Sequence, residues 1–283
     1  MGRELAPYEI AERSIIKKYR KELWNPFIYA VQHYELIREG DRIAVCISGG
    51  KDSMLLAKLM QELHRHTTVP FEVLYLVMDP GYSAANRRKI EENAALLNVP
   101  VTIFDSDIFA AADSVEKNPC YLCAKMRRGH LYAKARELEC NKIALGHHLS
   151  DVIETVVMAM FWISKLETII PKLHSTNFPG MTLIRPMYGI READVIAWAN
   201  YNHLDFIRCA CRFTENAATA GHETDSKRKE TKMLLAELKK TNPEIETSIF
   251  NAVHAVQLDT FPGFKTDGEK HSFLEHFNAL NRS

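Results

Sequence analysis

The sequence predicts an α/β fold, a parallel sheet with helices on both faces. Short apolar runs bounded by turn residues recur along the chain, as strands buried on both faces require. Between them lie longer stretches in which apolar residues return every three to four positions, the pattern of crossover helices. The length, 283 residues without a repeat or low-complexity tract, suffices for one large core.

The elements follow in order. Ile15, Tyr19, Leu23, Phe27 and Val31 in the first 40 residues fall at helical spacing and predict one or two amphipathic helices. IAVCI at 43–47 is a buried strand, SGGKDS a turn, and 54–66 a helix. FEVLYLVMD at 71–79, a helix from Tyr82 to Leu97 and VPVTIF at 99–104 continue the alternation. A helix from Leu122 to Leu138 leads to KIALG at 142–146, and a further helix runs from Asp151 to Ser164. Phe161 and Trp162 in that apolar helix read as core residues. MTLIRPM at 181–187 is the fifth strand, its exit set by Pro186. Residues 192–202 are helical, LDFI at 204–207 is a short edge strand, and two helices follow near 225–240 and 243–256. The tail from Phe261 is weakly specified. The expected organisation is an N-terminal helical extension over 1–40, a central α/β domain over 41–215, and a C-terminal helical segment and tail over 216–283.

Composition narrows the function classes. Lys plus Arg equals Asp plus Glu at 36 each, so the net charge is zero and bulk charge gives no support for a nucleic-acid partner. Two stretches depart from neutrality: 125–142 and 227–240 each carry six basic against two acidic residues. In the first, Lys125, Arg127 and Arg128 are candidates for RNA-phosphate contact, or for an ordinary solvated helix face. No apolar run approaches the roughly eighteen residues of a membrane span. The first ten residues lack the apolar segment of a secretory signal. Six cysteines are too sparse for a disulfide scaffold. The expectation is a cytoplasmic protein with no membrane partner.

Ligands of such a sheet sit beyond the C-terminal strand ends, and the chemistry-bearing residues fall there. In SGGKDS, Gly49 and Gly50 let backbone N–H groups approach an anion, and the following helix N-terminus adds its positive dipole end. Ser48 and Ser53 add hydroxyls and Lys51 a compact charge. The loop fits neither the dinucleotide fingerprint nor the GxxxxGK[ST] loop. It resembles the pyrophosphate loop of the PP-loop ATP pyrophosphatases, whose adenine nucleotide alpha hydrolase-like fold splits ATP between its alpha and beta phosphates. That resemblance implies phosphate binding by Ser48, Gly49, Gly50, Lys51 and Ser53, with Asp52 arranging the loop or its Mg²⁺. It also places Asp79 near adenosine; the plain alternative for Asp79 is a turn aspartate before Pro80 and Gly81. Gly146 and His147 close the fourth strand, where His147 or His148 could contact phosphate or serve structure. Asp151 could hold magnesium, order the ATP site or cap its helix.

The cysteines divide into two kinds. Cys46 and Cys140 lie in or beside strands and read as packing. Cys120 and Cys123 form C-x-x-C, and Cys209 and Cys211 form C-x-C. Three readings of these pairs stand: a four-thiolate zinc site, a redox dithiol at Cys120 and Cys123, or an iron–sulfur cluster held by the first pair and one of the second.

The order of SGGKDS, the C-x-x-C in CAKMRRGHLYAKA, KIALGHHLSDVIET, LIRPM with READV, and a last cysteine motif resembles the tRNA 2-thiocytidine synthetase family (TtcA), over roughly residues 20–260. The family implies a [4Fe-4S] cluster on Cys120, Cys123 and Cys211, with Cys209 as the alternative third ligand. It implies ATP-dependent thiolation of C2 of cytidine 32 in tRNA, catalytic roles for Lys51, Asp52 and Asp151, a sulfur donor such as a cysteine desulfurase, and a homodimer. Two features depart from the family pattern: C-x-C replaces C-x-x-C, and Ser150 stands where GHHxDD has its first aspartate. The rival readings are the same chemistry on another tRNA position or a small molecule, a zinc-containing adenylating or amidating enzyme, and a non-catalytic nucleotide-dependent RNA-binding module.

Overall fold

The computed structural model describes residues 3–106, 108, 119–207 and 224–280. It forms two compact units, 1–232 and 233–283.

The first unit is built on a six-stranded sheet. Its strands are β1 (Arg42–Ile47), β2 (Glu72–Asp79), β3 (Val101–Asp105), β4 (Lys142–Ala144), β5 (Lys172–His174) and β6 (Thr182–Ile184). Their spatial order is β3-β2-β1-β4-β6-β5, and every pair is parallel except β5–β6. Alternation along β1 sends Ala44 and Cys46 to one face. There they pack with Leu76, Ile143, Leu183, Tyr132 and Ala135, the last two from the helix Pro119–Glu137. The other face is covered by the helix Lys51–His66, which packs on β1 and β2 and in turn on the helices Pro7–Ile16 and Glu192–Tyr201. Helices on both faces are therefore as expected. Cys46 and Cys140 are buried free thiols of this core. Burial pushes the Cys46 thiol up to about 12, so it is unreactive.

Three local expectations are corrected. The sheet has an antiparallel edge strand, β5, which is too short and polar for a sequence pattern; it exists because its backbone pairs with β6. LDFI at 204–207 is not a strand: Asn93 Nδ2 donates to the Asp205 carbonyl at 3.0 Å, so a helix side chain takes the place of a ladder partner. Phe161 and Trp162 are not core: Phe161 is 59% exposed and Trp162 half-buried. The helix Leu149–Met158 gives way at Ala159–Ile163 to a wider π-turn that ends at Ser164 in the left-handed region, and the change of pitch takes these rings off the buried face.

The second unit contains the end of the helix Thr224–Thr241, the helix Ile245–His254, a two-stranded antiparallel hairpin (Gly263–Thr266 with Glu269–Ser272) and the helix Phe273–Leu280. Among the described residues no helix is long and apolar enough to cross a membrane.

The strand order places the site. The chain runs outward from β1 through β2 and β3, then returns to the other side of β1 as β4. The reversal opens a crevice at the C-terminal ends of β1 and β4, the position where open α/β sheets hold ligands.

Candidate active site

A cavity of about 410 Å³ occupies that crevice, lined by Ser48, Asp52 and Ser53 from the glycine loop and by Gly146, His147 and Asp151 from the exit of β4. Its size is that of a nucleotide or cofactor pocket.

The loop is internally braced. Ser48 N donates to Ser53 Oγ at 3.1 Å, and Ser53 Oγ donates to the Gly50 carbonyl at 3.0 Å. Gly49 has φ +84°, and a Cβ there would lie 2.5 Å from Ile90 Cγ1 and 2.7 Å from Ile207 Cδ1. Both backbone conformation and space therefore demand glycine. Gly50 is extended and starts the helix Lys51–His66 without a side-chain cap, leaving its first amides available to an anion.

Gly146 is needed for another reason. A Cβ on it would stand 3.1 Å from the carbonyl carbon and oxygen of Asp52 and 3.2 Å from Ser53 N. The exit of β4 is thus pressed against the first turn of the loop helix. His148 then caps the next helix: Asp151 N donates to His148 Nδ1 at 3.4 Å, and His148 N donates to Asp151 Oδ2 at 3.0 Å. Asp151 is the third residue of that helix and completes the capping box, while also lining the cavity. Ser150, the departure from GHHxDD, accepts from Glu192 N at 3.1 Å and so anchors the start of the helix Glu192–Tyr201.

The charges are arranged in pairs. Lys51 Nζ lies 3.0 Å from Glu192 Oε1 and 3.2 Å from Asp52 Oδ1. Burial would raise the Glu192 carboxyl, but hydrogen bonds from Lys232 and Lys51 outweigh it and hold it at about 2. Asp151 is likewise subject to burial, which raises its carboxyl; His148 and Arg228 prevail and lower it. His147 is pushed down to about 4 by burial and by Arg185, so its imidazole is neutral at pH 7. Its buried Nδ1 has no hydrogen-bond partner, and the buried Oδ1 of Asp52 accepts no hydrogen bond although the Lys51 ammonium lies beside it. Among the described residues no three His, Cys, Asp or Glu side chains converge as a ready-made metal site.

Asp79 lies at the end of β2, but its carboxylate builds the turn that follows. Oδ1 accepts from Gly81 N and Tyr82 N at 2.8 and 2.7 Å, and Oδ2 from Arg87 at 2.9 Å. Arg127 and Arg128 line the cavity, whereas Lys125 is exposed and outside it. Cys120 and Cys123 fall at the start of the helix Pro119–Glu137; Cys209 and Cys211 lie outside the described residues.

Sequence reasoning missed Glu192 and the inward role of Arg228 and Lys232. The first stood inside READV, and the other two read as part of a basic stretch. The signal available was the alternation of KRKETK with carboxylates elsewhere in the chain, but pairing them required the fold.

A loop of this form at a switch point defines a nucleotide-binding protein of the PP-loop class. The family model of the PP-loop domain matches residues 15–211. The chain is 34% identical over 85% of its length to the tRNA-cytidine(32) 2-sulfurtransferase of Geobacter metallireducens, covering 91% of that protein. It is 35% identical over 88% of its length to the enzyme of the same name from Syntrophotalea carbinolica, covering 92% of it. The chain belongs to the tRNA-cytidine(32) 2-sulfurtransferase family. Among solved structures, the U34-tRNA thiolase NcsA from Methanococcus maripaludis, with its [4Fe-4S] cluster, aligns with 82% of this chain and 77% of its own, at a TM-score of 0.63 and 20% identity. That likeness establishes a shared fold.

Proposed function

We propose that this protein uses ATP to replace the 2-oxo group of cytidine 32 in tRNA with sulfur, giving 2-thiocytidine. The observation that carries the reading is one helix serving two sites. Pro119–Glu137 begins with Cys120 and Cys123, and its residues Arg127 and Arg128 stand in the wall of the nucleotide cavity. Arg127 follows Cys123 by four positions, about 6 Å of helical rise. Thiolate chemistry and nucleotide chemistry are thus neighbours, which a sulfur-transfer enzyme needs and a plain ATPase does not.

The residues fit the groups the family implies. Ser48, Gly49, Gly50, Lys51 and Ser53 offer amides, hydroxyls and one cation to the phosphates. The carboxylate of Asp52, whose Oδ1 accepts no hydrogen bond and faces the Lys51 ammonium and the His148 ring, and that of Asp151 suit the Mg²⁺ that accompanies ATP. The neutral His147 can donate or accept a hydrogen bond at the phosphates without adding charge. Asp79, occupied by its turn, shapes the adenosine side of the pocket through backbone rather than through its carboxylate. Two cysteines entering a helix N-terminus form a soft, thiolate-prone donor set, and Cys211, with Cys209 as the alternative, is the third ligand of a [4Fe-4S] cluster. When bound, the cluster supplies the sulfur-delivery chemistry.

The reaction balances as two displacements. The cytosine 2-oxo oxygen attacks the α-phosphorus and pyrophosphate leaves. Sulfide then adds at C2, and AMP departs with the former carbonyl oxygen while the sulfur proton passes to solvent. The amides and Lys51 stabilise the departing pyrophosphate. Arg127 and Arg128 hold the anticodon-loop backbone, Lys125 extends that contact outside the cavity, and the base reaches C2 chemistry by leaving its stack. A cysteine desulfurase supplies the sulfur as a persulfide, a thiol reductant provides the two electrons that release it as sulfide, the protein works in the cytoplasm, and two chains associate.

The test is anaerobic purification with iron and sulfide counted per chain. The expected result is about four of each, lost in Cys120→Ala and Cys123→Ala and in one of Cys209→Ala and Cys211→Ala. Zinc in place of iron would remove the sulfur-transfer half of the reading.

A further inference from the structure

The helix Thr224–Thr241 brings two cations to the rim of the cavity. Arg228 lines it directly. Its Nε donates to Glu154 Oε2 at 2.7 Å and its Nη2 donates to Asp151 Oδ1. Lys232 Nζ lies 2.9 Å from Glu192 Oε2 and 3.5 Å from Glu154 Oε1. Glu192 in turn holds Lys51 of the glycine loop. Three cations around the crevice, Lys51, Arg228 and Lys232, are therefore held by carboxylates.

The two partners of the Arg228 pair are unequally free. The Glu154 side chain is 4% exposed and fixed in the helix Leu149–Met158, whereas the Arg228 side chain is 50% exposed. The guanidinium can leave; the carboxylate cannot follow. A triphosphate concentrates more negative charge than Asp151, and its oxygens match the planar donor fork of arginine. We propose that Arg228 is an ATP-phosphate ligand held in reserve, which swings from Asp151 to the phosphates when the nucleotide enters. Glu154 competes with the nucleotide for the same guanidinium. This rests on the reading that ATP occupies the cavity.

The competition gives a test with opposite signs. ATP with Mg²⁺ is titrated calorimetrically into the wild-type protein and variants, and KM and kcat for tRNA-dependent pyrophosphate release are measured alongside. Arg228→Gln raises the Kd for ATP about tenfold or more, and Arg228→Lys recovers part of the loss. Glu154→Gln lowers the Kd severalfold, and that gain disappears in the Glu154→Gln/Arg228→Gln double variant. A purely structural ion pair gives another pattern: Arg228→Gln binds ATP as the wild type does, or Glu154→Gln weakens binding or leaves it unchanged. Either result overturns the assignment of Arg228 while leaving the nucleotide site in place. A wild-type protein that binds no ATP overturns the nucleotide reading and this proposal with it.

Discussion

Replacing Gly146 by alanine isolates how the fold positions the glycine loop. The new Cβ would meet backbone atoms of Asp52 and Ser53 at 3.1–3.2 Å, and backbone cannot rotate away as a side chain can. Ordinary carbon contacts begin near 3.4 Å, so the first turn of the helix Lys51–His66 must retreat by about 0.3 Å. Overpacking of this kind costs about 1–3 kcal/mol; the low end applies, because the cavity leaves the loop space to move. A misplacement of about 1 Å costs roughly a hundredfold in rate, so about 0.3 Å costs about fourfold. The assay is kcat/KM for ATP-dependent pyrophosphate release, with urea unfolding in parallel. The control is Gly129→Ala: a Cβ there meets nothing within 4 Å, and alanine inside the helix Pro119–Glu137 stabilises by about 1 kcal/mol. A Gly146→Ala protein with wild-type kcat/KM and stability would refute the argument, as would an equal loss in Gly129→Ala.

Other outcomes follow from the same geometry. Ser53→Ala removes a hydroxyl that bridges Ser48 N and the Gly50 carbonyl; it lowers stability by about 1–2 kcal/mol and weakens ATP binding, read by urea unfolding and calorimetry. Glu12→Ala leaves Lys58, whose side chain is 0% exposed and 2.6 Å from Glu12, as a buried charge without its counterion. The cost is about 3–5 kcal/mol in the urea midpoint, with ATP affinity changed far less. His147 sets a pH dependence: its pKa falls from 6.5 unfolded to about 4 folded. As pH drops through that window the unfolded chain takes up the proton first, so stability declines between pH 6.5 and 4. His147→Gln flattens that part of the profile, and an unchanged slope would contradict the neutral buried imidazole.

The loop was legible because its function is local: SGGKDS carries the strand exit, the left-handed glycine and the helix start within six adjacent residues. The parallel core was legible for a similar reason, since each buried strand is a run of neighbours. Asp79 was legible as a residue at the right place but not as to its task. The amides of Gly81 and Tyr82 and the Arg87 guanidinium converge on it only once the turn forms. Arg228, Lys232 and Glu192 were hidden because their partners lie 40 to 141 positions away in sequence. A basic stretch looks the same whether its charges face solvent or carboxylates. Phe161 was misread because helical periodicity assumes constant pitch, and a π-turn changes the face that each residue presents.

The most direct test of the account incubates the cluster-loaded protein with unmodified tRNA, ATP, Mg²⁺ and sulfide, then digests the tRNA to nucleosides, and in parallel to oligonucleotides that place the modified base, for mass spectrometry. The account predicts 2-thiocytidine at position 32, formed only with ATP and in step with pyrophosphate release. Pyrophosphate release without any thiolated nucleoside, or sulfur appearing on another base, would contradict it.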